Sequence, residues 1–96
     1  MKTLTILGRR WFQPTYGNTY NSVSTIIDGA LAARLEKEYG YGSAYEDRVV
    51  QWLRLNGFNA PEQHANGSNE GLSHWARREG VALHSEVVDV RRERDL

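Results

Sequence analysis

The stretch TYNSVSTIIDGALAARLEKEY, residues 19–39, decides the fold. Its first half is rich in Thr, Val, Ile and Tyr, which are residue types that favour β-strands. Asp28-Gly29 follows, a dipeptide typical of two-residue hairpin turns because both turn positions take a positive φ. Residues 19–27 and 30–39 are therefore expected to form two antiparallel strands joined by a tight turn.

Residues 30–39, ALAARLEKEY, also permit a second interpretation. They contain good helix formers, and Leu31, Leu35 and Tyr39 recur at a spacing of four, as they would on one side of a helix. The same segment also shows the alternation of a strand. We favour the strand because the hairpin turn comes directly before it, and a helix capped by Asp28 is the alternative.

A further strand is expected before this hairpin. Residues 3–12 are rich in Thr, Ile, Leu, Trp and Phe, and Gly8 interrupts them at a position that suggests a bulge. Residues 13–18 have the chemistry of a turn, since Pro14 fixes its own φ and the Gly and Asn that follow tolerate a positive φ. The chain is thus expected to open with three consecutive strands.

The clearest helix signal follows the third strand. Ser43 and Glu46 have the spacing of a capping box, in which each side chain accepts a hydrogen bond from the backbone amide of the other residue. An apolar stripe at helical spacing comes next and consists of Tyr45, Val49, Val50, Trp52 and Leu53. Asn56-Gly57 should end the helix because glycine suits the left-handed position beyond a C-terminus, and Phe58 can fold back on the last turn.

The remaining elements complete an α+β fold. A polar loop over residues 59–67 precedes a shorter helix at about 70–79, for which Ser68 or Asn69 can serve as a cap, and a last strand over 81–90. The charged tail, residues 91–96, is expected to fray. The predicted order β-β-β-α-α-β gives an antiparallel sheet with two helices on one face, built as a single domain of residues 1–96.

Composition excludes several classes of protein. The 12 Lys and Arg residues balance the 12 Asp and Glu residues, which disfavours nucleic acid as a partner of the whole surface and also disfavours a DNA mimic. The absence of cysteine excludes disulfides and thiol chemistry. No segment has the ~20 apolar residues of a membrane span or the features of a signal peptide. The chain is therefore predicted to be a soluble cytoplasmic protein with no membrane partner.

Catalytic and metal sites find little support in the sequence. No serine lies in a nucleophile elbow, and Ser43 and Glu46 already have a structural explanation in helix capping. The histidines His64, His74 and His84 are ten residues apart, a spacing that fits no common metal site. We therefore expect no enzymatic activity, no metal and no cofactor.

The turn Tyr39-Gly40-Tyr41-Gly42 leads directly into the clearest helix and is a candidate ligand site. Free amides and the helix dipole at such a terminus suit a phosphate, and glycines allow the backbone to approach a ligand closely. The two tyrosines can stack on a base or a sugar. A tight strand-to-helix turn with its tyrosines packed on the sheet edge is the alternative.

Arginine pairs supply a second candidate for phosphate recognition, because a guanidinium group binds phosphate through two parallel hydrogen bonds and stacks on aromatic rings. These pairs are Arg9-Arg10, Arg77-Arg78 and Arg91-Arg92. Neighbouring residues of a strand face opposite ways, so only one member of a strand pair can reach a given pocket. A solvated face balanced by acidic residues is the alternative. The candidate ligand-binding residues are Tyr39, Gly40, Tyr41, Gly42, Arg10, Arg91 and Arg92.

Aromatic residues concentrate near the first turn, where Trp11, Phe12, Tyr16 and Tyr20 lie close in sequence. A core of this size cannot hold all four, so some of them are candidates for an oligomer interface or a ligand platform. A small core beside extra aromatic surface also favours burial of that surface between subunits, and we expect a homo-oligomer.

These residues carry a family resemblance. Arg10-Trp11-Phe12, the segment YGNTYNSV at 16–23, Asp28-Gly29 and the turn at 39–42 resemble a pattern in small phage-encoded accessory proteins, over roughly residues 1–60. The sheet-plus-two-helices outline with terminal arginines is similar to the anti-Thoeris sponge proteins. That family binds and sequesters a cyclic ADP-ribose-type signal without cleaving it, using arginine and aromatic contacts in pockets at oligomer interfaces.

The resemblance implies a phage anti-defence protein that acts in the host bacterial cytoplasm and captures a small nucleotide signal. Arg91 or Arg92 would pair with phosphate, and Tyr39 and Tyr41 would stack on the ligand. The alternative is a protein-binding inhibitor of a host defence system, comparable to an anti-CRISPR, with the aromatic residues near the first turn as its anchors. A third hypothesis is a nucleic-acid-binding module that uses the basic tail.

Overall fold

The computed structural model describes residues 1–96 and confirms an α+β fold with the expected order of elements. Three strands precede two helices, a fourth strand follows, and a short 3-10 turn ends the chain. The elements are β1 (Thr3–Gln13), β2 (Asn18–Ile27), β3 (Ala30–Tyr39), α1 (Ala44–Leu55), α2 (Leu72–Glu79), β4 (Ala82–Val90) and the 3-10 turn (Glu93–Asp95).

The four strands form one sheet in the order β3-β2-β1-β4, and this sheet is mixed rather than wholly antiparallel. β1 pairs antiparallel with β2, and β2 pairs antiparallel with β3, as expected. β4 instead runs parallel to β1, so the expectation of an all-antiparallel sheet is wrong for this pair. The segment between β3 and β4 carries both helices and is long enough to return the chain to either end of the sheet.

The hairpin between β2 and β3 is confirmed, and with it the strand assignment of residues 30–39. Asp28 and Gly29 have φ values of 51° and 83°, which both lie in the left-handed region that such a turn requires. The Asp28 carboxylate also accepts hydrogen bonds from the backbone amides of Lys2 and Thr3, at 2.6 and 2.8 Å. The turn conformation therefore outweighs the helix propensity of residues 30–39. The Asp28 hydrogen bonds also connect the start of β1 to the hairpin.

One face of the sheet packs against both helices and holds the core. Alternate residues of the central strands, Leu4 and Ile6 of β1 and Val23 of β2, are fully buried there. They meet Val49 and Leu53 of α1, and Trp75 of α2 belongs to the same buried cluster. Burying an aliphatic side chain of this size contributes about 1.5–3 kcal/mol, so this cluster is the main source of stability.

Gly8 does not mark a bulge, contrary to the expectation from sequence. Its pairing with Val23 of β2 and Val87 of β4 is continuous with the neighbouring pairs. A methyl group at Gly8 would lie 2.7 Å from Cδ2 of the buried Tyr45. The glycine is needed because the first turn of α1 approaches the strand closely at this point.

The N-terminus of α1 is not closed by a capping box, so that expectation is also wrong. Ser43 makes no side-chain cap hydrogen bond. The Glu46 carboxylate instead accepts a hydrogen bond from the Ser85 hydroxyl of β4. A tertiary partner has replaced the local one, and the contact ties the helix to the edge strand.

The C-terminus of α1 is formed as expected. Gly57 has a φ of 77°, and the Phe58 amide donates a hydrogen bond to the Leu53 carbonyl oxygen at 2.9 Å. The Phe58 ring folds back and stacks on Trp52 with 5.5 Å between ring centroids.

Helix α2 begins at Leu72, two residues later than expected, and neither Ser68 nor Asn69 caps it. The Glu70 amide donates to the Glu62 carbonyl oxygen at 2.7 Å, which holds the residues before the helix in an extended path. At the end of the chain, Glu93–Asp95 form a 3-10 turn within the tail that was expected to fray, and Glu93 pairs with Lys37 of β3 at 2.7 Å.

Candidate functional site: the open face of the sheet

The second face of the sheet has no helix against it, and a row of aromatic residues crosses it. Trp11 of β1 is the register partner of Tyr20 in β2 and of Val90 in β4, and Tyr20 is in turn the partner of Tyr39 in β3. The Trp11 and Tyr20 rings are stacked with their centroids 5.9 Å apart, and Tyr20 meets Tyr39 edge-on at 6.0 Å. We call Trp11, Tyr20 and Tyr39 the aromatic row.

A cation lies over the aromatic row. The Lys37 ammonium is 4.6 Å from the centroid of the Tyr20 ring and 5.6 Å from that of Trp11. The planes of these two rings differ by only 28°, so both turn a face toward the same charge. The Glu93 carboxylate pairs with Lys37 at 2.7 Å and holds the 3-10 turn against this face.

An open depression of about 740 Å³ lies beside the aromatic row, on the β4 side. Two valines and one arginine of the sheet form its floor, and the tail supplies the rest. Its lining consists of Arg9, Val88, Val90, Arg91, Arg92 and Asp95. We call this feature the arginine depression.

The three arginines of the depression differ in their partners. Arg92 pairs with the Asp95 carboxylate at 3.1 Å, and Arg9 donates a hydrogen bond to the Asp95 backbone oxygen at 3.0 Å. None of the ion pairs in the structure includes Arg9 or Arg91. Their charges are therefore not balanced by a carboxylate, and the depression suits an anion with an apolar part that can lie on the valines.

The expected ligand-binding residues divide between two places. Arg91 and Arg92 line the arginine depression, and Tyr39 belongs to the aromatic row on the same face of the sheet. Arg10, one residue after Arg9, turns toward the other face. There it pairs with Asp89 at 3.0 Å and donates to the Gly42 carbonyl oxygen at 3.2 Å. The end of the turn before α1 therefore lies with Arg10, and Tyr41 is exposed.

Gly40 is buried, and packing explains why a glycine stands there. A methyl group at Gly40 would lie 2.8 Å from both Asn21 Nδ2 and Ala44 Cβ. The Asn21 amide donates to the Gly40 carbonyl oxygen at 3.1 Å and accepts from Arg48 at 2.7 Å. This backbone is enclosed by the sheet and α1 rather than open to a ligand.

The four aromatic residues expected at an interface do not form one surface. Trp11 and Tyr20 lie together on the open face, whereas Phe12 faces the opposite side of β1 and is 57% exposed. Tyr16 projects from the turn between β1 and β2 and is largely exposed. The alternation of side chains along a strand separates Trp11 from Phe12.

Two cations of this face are absent from the final set of ligand-binding residues proposed from sequence: Arg9, whose neighbour Arg10 was chosen from that pair, and Lys37. Arg9 shares the face of Trp11 because the two are separated by two positions on one strand, and strand alternation places Arg10 on the opposite face without indicating which face the helices cover. The position of Lys37 follows an irregularity in the β2–β3 pairing between Asn21 and Val23, and local sequence carries no signal for it.

No protein-family model, curated protein or solved structure matches this chain. The structure contains no group of three or more His, Asp or Glu side chains placed to hold a metal ion. None of its helices has the length and apolar character needed to cross a membrane.

Proposed function

We propose that this protein binds and sequesters a small phosphate-bearing nucleotide of the cyclic ADP-ribose type without cleaving it. The observation that carries the proposal is the arginine depression, in which Arg9 and Arg91 have no carboxylate partner and two valines offer an apolar surface. Guanidinium groups are the side chains best suited to hold phosphate through two hydrogen bonds.

Each group of the face has a part in this binding. Arg9 and Arg91 pair with phosphate oxygens directly. Arg92 joins them when a ligand phosphate replaces the Asp95 carboxylate that it now holds at 3.1 Å. The base or sugar lies on Val88 and Val90 or stacks on the neighbouring aromatic row. Tyr41, Gly42 and Arg10 lie elsewhere and take no part.

Binding without cleavage is also part of the proposal. Asp95 is the only carboxylate that lines the depression, and its side chain is already paired with Arg92 at 3.1 Å. A phage anti-defence role, the host cytoplasm as its location and assembly into a homo-oligomer are proposed with it, and the family resemblance of the sequence supports them.

Titration calorimetry against a panel of cyclic and ADP-ribose-derived nucleotides tests the proposal. We expect one member to bind, to be recovered intact after heat denaturation, and to lose at least tenfold in affinity with Arg91→Ala plus Arg92→Ala. The matched control is Arg77→Ala plus Arg94→Ala, which removes two exposed arginines outside the depression. Binding that both double variants leave equal, or a ligand recovered in cleaved form, would contradict it.

A further inference from the structure

We propose that the open face also binds single-stranded nucleic acid, with bases stacked on the aromatic row and phosphates held by Lys37 and the arginine depression. This inference goes beyond the proposed function. It uses the same face but concerns a ligand of several linked nucleotides, which needs the full width of the sheet.

The aromatic row has the arrangement of a base-stacking platform, with its rings displayed on one face of a sheet. Its three rings stand on three adjacent strands, with 5.9 Å between the first two centroids and 6.0 Å between the next two. Trp11 and Tyr20 lie on the two central strands, each of which pairs with a strand on both sides. A four-stranded sheet that displays aromatic rings on its helix-free face can stack two or three bases of a single strand.

Both central rings already offer a π-face to a cation, the Lys37 ammonium. A base that takes this position displaces the Lys37 side chain sideways. The ammonium then remains within reach of the phosphate linked to that base. Lys37 therefore exchanges the Glu93 carboxylate for a phosphate, and its charge stays paired.

The tail carboxylates mark where phosphates would lie. Glu93 pairs with Lys37 at 2.7 Å, and Asp95 pairs with Arg92 at 3.1 Å. Two anionic groups of the 3-10 turn are thus held beside the aromatic row by the cations that a nucleic-acid backbone would use. The tail competes with such a strand, and loss of its charge should strengthen binding.

The geometry selects single strands over duplexes. The rings of the aromatic row can stack only on the flat face of a base. In a duplex both faces of each base are covered by the neighbouring bases. The formal net charge of the chain is zero, so binding depends on this local arrangement rather than on a general attraction to polyanions.

Fluorescence anisotropy with a labelled eight-residue oligouridine at low salt tests this inference. We expect saturable binding, and a loss of roughly tenfold for Trp11→Ala and for Tyr39→Ala. Phe12→Ala is the matched control, because it removes an aromatic ring from the next residue on the other face. Glu93→Gln should strengthen binding several-fold because it releases Lys37, and this gain would not come from a merely structural role of the tail.

Three results would overturn the inference: no binding of the oligouridine, equal binding of a duplex of the same length, or equal losses for Trp11→Ala and Phe12→Ala. The outcome is independent of the calorimetric test. If small nucleotides bind and the oligouridine does not, only this inference falls. If the oligouridine binds with the expected variant effects and no small nucleotide does, the proposed function falls and this inference stands.

Discussion

Arg9 and Arg10 show how far one step along a strand can change the chemistry of a residue. Arg10 is held by Asp89 and by the Gly42 carbonyl oxygen, and it links β1, β4 and the segment before α1. Arg9 has no carboxylate partner and lines the arginine depression. The alternation rule predicts that only one of the pair reaches a given pocket. Which arginine reaches the pocket depends on the face of the sheet that the helices cover, and the identities of the two residues do not predict that face.

Gly8 provides a prediction at the scale of a single residue. Gly8→Ala should lower the free energy of unfolding by about 1–3 kcal/mol, because the new methyl group would lie 2.7 Å from the Tyr45 ring. This cost exceeds the gain of about 0.4–1 kcal/mol that alanine brings by restricting the unfolded chain. Urea unfolding measures the difference.

Gly71→Ala is the control for this substitution. The nearest atom to the new methyl group there would be His74 Cβ at 3.9 Å, an ordinary contact, and the backbone at Gly71 has a φ of −57°. We expect its stability to stay within about 0.5 kcal/mol of the parent protein. Equal effects of the two substitutions would show that α1 does not approach β1 as closely as described.

At the scale of elements, local signals predicted those parts of the fold whose determinants are local. The Asp28-Gly29 turn and the glycine at the end of α1 each act through backbone conformation within a few residues, and both were confirmed. The prediction of a capping box was wrong because the Glu46 carboxylate accepts a hydrogen bond from the hydroxyl of Ser85, 39 residues later in the chain. The predicted direction of β4 was also wrong, because no local signal in the chain between β3 and β4 restricts the direction in which β4 runs.

Helix α2 is anchored at its start by Glu70. The side chain is 9% exposed and pairs with Arg78 at 2.7 Å and with His74 at 2.9 Å. Hydrogen bonds from Arg78, together with one from the Glu62 amide, lower the pKa of Glu70 from 4.5 to about 2, against the opposing effect of desolvation. The contact therefore stabilises the folded protein through the charged carboxylate.

This pKa predicts a specific acid sensitivity. A carboxylate whose pKa is lower in the folded state stabilises the protein above pH 4.5 and loses that contribution as the pH falls toward about 2. Glu70→Gln should therefore be less stable than the parent protein at pH 7, and the difference should shrink between about pH 4.5 and pH 2. Thermal unfolding at a series of pH values measures it.

Glu79→Gln is the control, because Glu79 also pairs with Arg78, at 3.1 Å, but its side chain is more exposed than that of Glu70. A difference between parent and Glu70→Gln that stays constant with pH would contradict the account of α2.

At the scale of the whole molecule, the two faces of the sheet differ in what lies against them. One face of the sheet is closed by helices and carries the core, and the other carries an aromatic row, a cation above it and an arginine depression. The sequence predicted the arginines at the end of β4 and Tyr39 as ligand contacts, and it singled out Trp11 and Tyr20 as candidates for an interface or a ligand platform. It did not predict their assembly, because the site depends on the position of β4 beside β1 and on the return of the tail.

The central claim is that the open face is the binding surface, and the three tryptophans allow it to be tested directly. Trp11 lies in the aromatic row, Trp52 stacks on Phe58 at the end of α1, and Trp75 is buried with its indole N–H 3.3 Å from Asn59 Oδ1. Their three indole N–H signals in a ¹H–¹⁵N spectrum therefore report on three separate regions of the molecule.

The measurement is a titration of the ¹⁵N-labelled protein with cyclic ADP-ribose, followed by a second titration with the oligouridine. The account predicts that the Trp11 signal shifts progressively to saturation while the Trp52 and Trp75 signals stay in place. A ligand that binds and leaves Trp11 unmoved, or that shifts Trp52 instead, would contradict it.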